Sequence, residues 1–390
     1  VSALDSFRQR YASFSERRYA PVVKAIVGFG FLAVLPYVIE IDVMGMELAA
    51  TLSLQVLVLT LVFAFSAQAW NIMSGYTGQF SFGHAAFFGI GAYATQALAV
   101  DMAINPWIGM LVGSVLAGIY GLCVGHLCFR YDLQGHYFAL ATLAFAELLR
   151  FLVVNAGELN GANGYFKPFP RDYGETFGLV AFQFQSDLPY YYVILAFLVI
   201  VTVVSWAIKR SWIGLYFFSI REDERAAASL GVPAYRYKML GVCVSAFFTA
   251  WAGAFWSMYF NTIRPSTVFA LFLNVELLLP AVVGGPGTLI GPIVGSFVVT
   301  PISEIARTTF SDVSGLDRII YGIFLVVIVI YSPKGVVEWP AMARRRVAAF
   351  RDRSRRDGTG TTAETGTAAE TTETPEPPET NPDADTQEDD

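Results

Sequence analysis

Charge is what this sequence lacks. Only 15% of its 390 residues are Asp, Glu, Lys or Arg, against about 25% in soluble domains. None falls between Glu47 and Asp101, and further charge-free runs cover 102–129, 188–208, 239–263 and 277–303. A helix crosses about 30 Å of hydrocarbon with roughly 20 apolar residues, so the first stretch alone holds two crossings. This argues against a soluble enzyme. Runs such as Val56-Leu57-Val58-Leu59 do not alternate, as the strands of a membrane barrel would.

Cysteine and histidine are scarce too. Cys123, Cys128 and Cys243 read as small buried thiols. His84, His126 and His136 have no second ligand at a zinc-like spacing, so no metal is expected. There is no G-x-x-x-x-G-K-[ST] loop to cradle nucleotide phosphates, and no nucleophile and base pair is recognisable. The chain is therefore expected to be no enzyme and to carry no cofactor, with no nucleic-acid partner.

What is present is apolar length, in 55% of residues. The runs predict an all-α polytopic membrane protein of about ten transmembrane or re-entrant helices near 22–39, 48–70, 79–100, 107–128, 136–155, 189–208, 239–260, 268–284, 288–307 and 318–332. With both termini inside, the inner segments hold 19 Lys and Arg, and the outer loops hold only Lys167, Arg171 and Arg264. The positive-inside rule favours that orientation. Three regions follow: a basic cytoplasmic arm over 1–21, a transmembrane domain over 22–335 and a cytoplasmic tail over 336–390. No cleavable leader is expected at the polar, basic start.

The formal charge of −6 belongs to the tail. Residues 357–390 hold eleven acids and no base, leaving the first 356 residues with 26 bases against 21 acids, a balance of +5. That tail is rich in Thr, Pro and acids and has too little apolar surface to offset its ordering entropy, so disorder is expected from about 357.

Two glycine-rich segments interrupt the helical pattern. Gly75 and Gly78, in GYTGQFSFGHAAFF, are spaced as are Gly284 and Gly287, in GGPGTLIGPIVG. Matched interruptions in two halves suggest an internal inverted repeat and a path built from broken helices. Gly75, Gly78, Phe80, Phe82, Gly83, Gly284, Gly285 and Gly287 are the candidates for lining it. The same glycines would also serve plain helix packing. Glu147 is a further path candidate, because ionisable groups inside a bilayer are costly. Its i, i+3 neighbour Arg150 could instead simply neutralise it. The outer loop 156–188 is 33 residues long, enough for a folded cap that covers a pore mouth or meets a soluble partner.

The inner loop 209–238 carries six Lys and Arg together with Glu222, Asp223 and Glu224. Within it, Ile220 to Leu230 is predicted as one short helix, ended by Gly231 and Pro233. A charged helix between two spans suits the groove of a soluble partner, where a solvated loop is the plainer alternative. The Ala226-Ala227-x-x-x-Gly231 pattern resembles the EAA-type coupling loop of permeases powered by separate ATPases, with Arg225 where such loops begin with Glu.

Four blocks, NIMSGYTGQFSFGHAAFFGIGAYATQAL from Asn71, GHYFALATLAFAELLR from Gly135, IREDERAAASLGVPAYRYK from Ile220 and VVGGPGTLIGPIVGS from Val282, together resemble LivM-type permease subunits of branched-chain amino acid ABC importers. The resemblance implies a prokaryotic cytoplasmic membrane and a homologous second permease subunit. It also implies two cytoplasmic ATPase subunits that hold ATP and Mg²⁺, and an external substrate-binding protein. Arg221, Glu222, Asp223 and Glu224 would then contact the ATPase, Ala226 and Ala227 would pack in its groove, and Gly231 would end the coupling helix. Urea and short-amide permeases share the glycine-rich blocks and form the nearest alternative. An ion-coupled secondary transporter is the rival of another class; it would need several relay residues within the spans, and it gives the charged loop no purpose.

Overall fold

A computed structural model describes residues 20–40, 53–167, 178–309, 315–331 and 335–338. Most of the basic arm, the acidic tail and part of the outer loop lie outside these residues. With no water to satisfy backbone groups in hydrocarbon, the apolar runs coil into helices. In chain order these are α1 (Ala20–Glu40), α2 (Leu54–Trp70), α3 (His84–Asp101), α4 (Pro106–Arg130), α5 (Gly135–Asn155) and α6 (Asp187–Arg210). There follow α7 (Trp212–Glu222), α8 (Glu224–Ser229), α9 (Ala234–Phe260), α10 (Pro265–Val268), α11 (Leu271–Gly284), α12 (Gly291–Thr309) and α13 (Leu316–Tyr331).

Among the described residues, six stretches are long and apolar enough to cross a membrane: 54–75, 106–130, 135–155, 187–210, 234–260 and 265–284. Helices stand at all ten expected places, and six of them qualify by length and composition among the described residues. The other four fall on α1, α3, α12 and α13. Of these, α12 carries a Glu304–Arg307 pair at 2.6 Å, and α13 has only 16 residues.

α2 is buried from Val56 to Trp70 and is ringed by α6, α9, α11 and α12. A second centre is the packing of α3, α4 and α9 against one another. There Gly91 and Gly253 let two backbones meet: a Cβ on Gly253 would overlap the Phe88 carbonyl, and one on Gly91 the Ala250 carbonyl. Ile108, Leu111, Val115 and Ile119 are exposed at helical spacing on α4, an apolar face suited to lipid or to another membrane subunit.

The described parts of loop 156–188 fold back on the helix ends. Its strand β1 (Tyr165–Phe166) pairs antiparallel with β2 (Thr262–Ile263), and the Tyr165 hydroxyl donates to Asp101 at 2.8 Å. Burial is the main cause that pushes the Tyr165 phenol up to about 12, with Asp101 adding to it. Phe182 stacks on Trp107 at 4.6 Å, and the Trp107 indole donates to the Leu179 carbonyl at 2.7 Å. Its described part is therefore a folded cap.

Candidate functional site

α2 does not end cleanly. Its last turn widens into a π turn over Asn71–Gly75, a local feature that often marks function, and the chain is non-helical over 78–83 before α3 begins at His84. The π turn presents the Asn71 amide to the turn between α11 and α12. Asn71 Oδ1 accepts from the Gly287 N–H at 2.7 Å, while its Nδ2 donates to the Thr288 carbonyl at 2.8 Å. Gly78 and Gly287 adopt φ of +76° and +83°, which glycine takes without strain. The two interruptions expected to correspond thus touch: a Cβ added to Gly75 would lie 2.7 Å from the Gly287 nitrogen.

The non-helical segment is held from several sides. The Trp70 indole donates to the Ser81 carbonyl at 2.9 Å, and the Phe82 N–H donates to Thr142 Oγ1 of α5 at 3.1 Å. Phe80 lies edge-on to Trp70 at 5.1 Å and 5.3 Å from Phe82. Both phenylalanines are half-buried and pack against a buried cluster that joins Ala67 and Trp70 of α2 to Leu278, Leu279, Ala281 and Val283 of α11. Gly83 caps α3 without a side chain; instead Asn274 Oδ1 takes the Ala85 N–H at 2.6 Å. His84 Nε2 meets Ser245 Oγ at 2.8 Å. That hydroxyl already donates to the Ala69 carbonyl, so the hydrogen-bond network assigns the His84 proton to Nε2.

The charged loop differs from the single helix expected over 220–230. It is two helices, α7 and α8, broken at Asp223, whose backbone is extended (φ −157°, ψ 108°). The reason is capping: the Asp223 carboxylate accepts from the N–H groups of Arg225 and Ala226, both at 2.9 Å, which satisfies donors that a new helix start leaves open. Gly231, at φ +86°, follows the end of α8. Glu224 pairs with Lys238 of α9 at 2.5 Å, and the Lys238 ammonium sits 4.5 Å over the Phe129 ring. Ala227 is buried in a small cluster with Ile220 and Ala234. Glu222, Arg225, Ala226 and Gly231 are exposed, and Leu230 is 87% exposed.

The structure brings four sequence candidates together: Gly75, Gly78 and Gly287 meet Arg221, whose Nη1 donates to the Gly75 carbonyl at 2.6 Å. Gly284 and Gly285 belong to the same α11–α12 connection. Glu147 is placed on α5, where Arg150 Nε donates to it at 2.7 Å and the guanidinium lies 4.5 Å over Phe151. Both partners are about a quarter exposed, 28% and 26%. Among the described residues no group of three His, Cys, Asp or Glu could hold a metal ion. Asn71, Lys238 and Leu230 were missed by sequence reasoning. An amide in a charge-free span marked Asn71, and a cation at the very start of an apolar run marked Lys238. Leu230, one of several apolar residues in the loop, gave no signal.

Helices interrupted inside the bundle, with a charged pair of short helices fastened onto the interruption, define a multi-pass membrane permease. The chain belongs to the family described as "branched-chain amino acid transport system / permease component", whose sequence profile matches residues 52–329. It is similar to the high-affinity branched-chain amino acid transport system permease protein LivM of Escherichia coli, at 26% identity over 72% of this chain and 68% of that one. The LivM of Salmonella typhimurium is 24% identical over 73% of this chain and 70% of its own. A solved structure, PsaBC from Streptococcus pneumoniae in complex with Fab, aligns with 76% of this chain and 97% of that one at 14% identity; its TM-score of 0.41 is too loose to carry a conclusion. This is an ABC-type permease, a transport component rather than an enzyme, in a cell membrane.

Proposed function

We propose that the chain is one of two permease subunits of an ATP-driven importer that moves branched-chain amino acids into a prokaryotic cell. Two cytoplasmic ATPase subunits hold ATP and Mg²⁺, and an external binding protein delivers substrate. Both termini and the α7–α8 loop face the cytoplasm, in line with the basic residues that flank them. The permease pair alternates access as the ATPases close on ATP and open again.

The observation that carries this reading is the α7–α8 pair. It projects Glu222, Arg225, Ala226 and the 87%-exposed Leu230, while Ala227 and the Glu224–Lys238 pair fasten it to the membrane helices. A short helix that is anchored on one face and open on the other suits a partner's groove. Phe80, Phe82, Gly83 and the surrounding glycine turns are assigned to the border of the path, since a leucine-sized side chain needs apolar walls and no catalytic group. The glycine-rich segments are read as the two counterparts of an inverted repeat. Glu147 is held by Arg150 and is assigned to the path only in this ion-paired form.

The test is co-expression with the second permease and the ATPases, followed by addition of the binding protein loaded with leucine. ATP hydrolysis and leucine uptake should both rise. Uptake driven by an ion gradient without ATPase subunits would sink the reading, and a binding protein that takes urea in place of leucine would move it to the amide branch.

A further inference from the structure

Arg221 is exposed like its neighbours Glu222 and Asp223, but its guanidinium reaches back to the membrane helices. It lies near the end of α7, two residues before the break at Asp223, and its Nη1 donates to the Gly75 carbonyl at 2.6 Å. Its aliphatic stem crosses Gly78 closely: a Cβ there would lie 3.2 Å from Arg221 Cγ and 3.3 Å from its Cα. On the far side the guanidinium abuts Gly287, where an added Cβ would overlap Nη1 and come within 2.9 Å of the Gly75 oxygen. One side chain from the loop therefore touches both the end of α2 and the α11–α12 turn.

The chemistry fits the place. The last carbonyls of a helix lack intrahelical partners and carry the negative end of its dipole, and a guanidinium makes a strong, directional hydrogen bond to such an oxygen. Gly78 and Gly287, both at positive φ, are backbone points that can absorb rotation, as hinges do. α8 is held to α9 by Glu224 and Lys238, so a push on α8 is not dissipated in a slack loop.

We propose that Arg221 is a positioning residue that passes displacement of the α7–α8 pair to the two glycine turns, so that α2 and the α11–α12 pair move when the ATPases do. This rests on the importer reading above. It gives Arg221, though exposed, the role of a link within the permease in place of the ATPase contact that the resemblance implied.

The experiment uses the complete importer, with both permeases, the ATPases and leucine-loaded binding protein, in proteoliposomes. Leucine uptake and phosphate release are measured together for wild type, Arg221→Gln and Arg221→Lys. Arg221→Gln should keep its ATPase subunits and hydrolyse ATP within about twofold of wild type, while uptake per ATP falls about tenfold, the scale of one charge-assisted bond. Arg221→Lys, with the charge but not the planar fork, should fall between. An unchanged uptake per ATP in Arg221→Gln overturns the proposal. So does a parallel loss of uptake, hydrolysis and ATPase subunits, which would make Arg221 a docking residue. If Arg221→Gln does not reach the membrane, Arg221→Lys decides by the same ratio. A wild type without ATP-driven uptake fails the importer reading itself, whereas a coupled wild type with an indifferent Arg221→Gln removes this proposal alone.

Discussion

The side chain of Asn71 and the backbone of Gly287 are joined by a 2.7 Å hydrogen bond across 216 residues of sequence. With the second bond, from Asn71 Nδ2 to the Thr288 carbonyl, one primary amide satisfies both a buried donor, the Gly287 N–H, and a part-buried acceptor of the same turn. The amide does both at once, whereas a carboxylate has no donor and an alkyl group has neither.

Replacement of Asn71 with Leu should therefore destabilise the permease by about 1–3 kcal/mol, the cost of leaving a buried polar group unpaired. Asn71→Asp should also be destabilising, because it places a charge against the Thr288 oxygen. Thermal unfolding of the purified chain in detergent measures both, and Tm values equal to wild type would show that the turn is held by other contacts.

The Glu224–Lys238 pair joins a Lys side chain only 4% exposed to a Glu 24% exposed. Lys238→Met strands a half-buried carboxylate, and Glu224→Gln strands a buried ammonium. The double variant removes both charges, and it should be more stable than Glu224→Gln alone. A double-mutant cycle by unfolding, together with protease cutting of loop 209–238, reads this out; strictly additive effects would refute the pairing.

Leu230 has nothing to lose inside its own chain, being 87% exposed. Leu230→Ser should leave thermal stability within about 0.5 kcal/mol and yet weaken ATPase attachment by about tenfold or more, as loss of an interfacial anchor does. Co-purification at graded ATPase concentration measures the attachment. A variant that binds as wild type would remove Leu230 from the docking surface.

Asp223 separates capping from docking. Asp223→Ala should cost about 1 kcal/mol through loss of the α8 cap, while Asp223→Asn keeps a capping oxygen and should preserve the helix. Equal ATPase attachment in wild type and Asp223→Asn, with loss in Asp223→Ala, would assign the residue's effect to helix geometry. Loss in both would assign it to charge at the interface.

The sequence by itself determined the class of fold. Charge-free runs of membrane length leave the backbone no choice but to bond within helices, and that constraint is local enough to read along the chain. It also marked both glycine interruptions, since their spacing and composition are local, and the charged loop, since charge between two spans has few uses. Local rules went astray where competition between close alternatives decided the outcome. Ile220–Leu230 is helix-forming throughout, and the break at Asp223 depends on its carboxylate preferring two backbone N–H groups to solvent. Among the described residues α12 mixes apolar turns with the Glu304–Arg307 pair, so its composition alone does not mark it as a crossing.

Only the tertiary structure decided which of these parts meet. That Gly75 faces Gly287, that Arg221 bonds the Gly75 carbonyl and that Ala227 packs against its own chain while Ala226 is open are contacts between segments far apart in sequence or choices between adjacent positions. No pattern along one segment encodes them. They follow from which helices surround the buried α2, and that is settled by the packing of all of them at once.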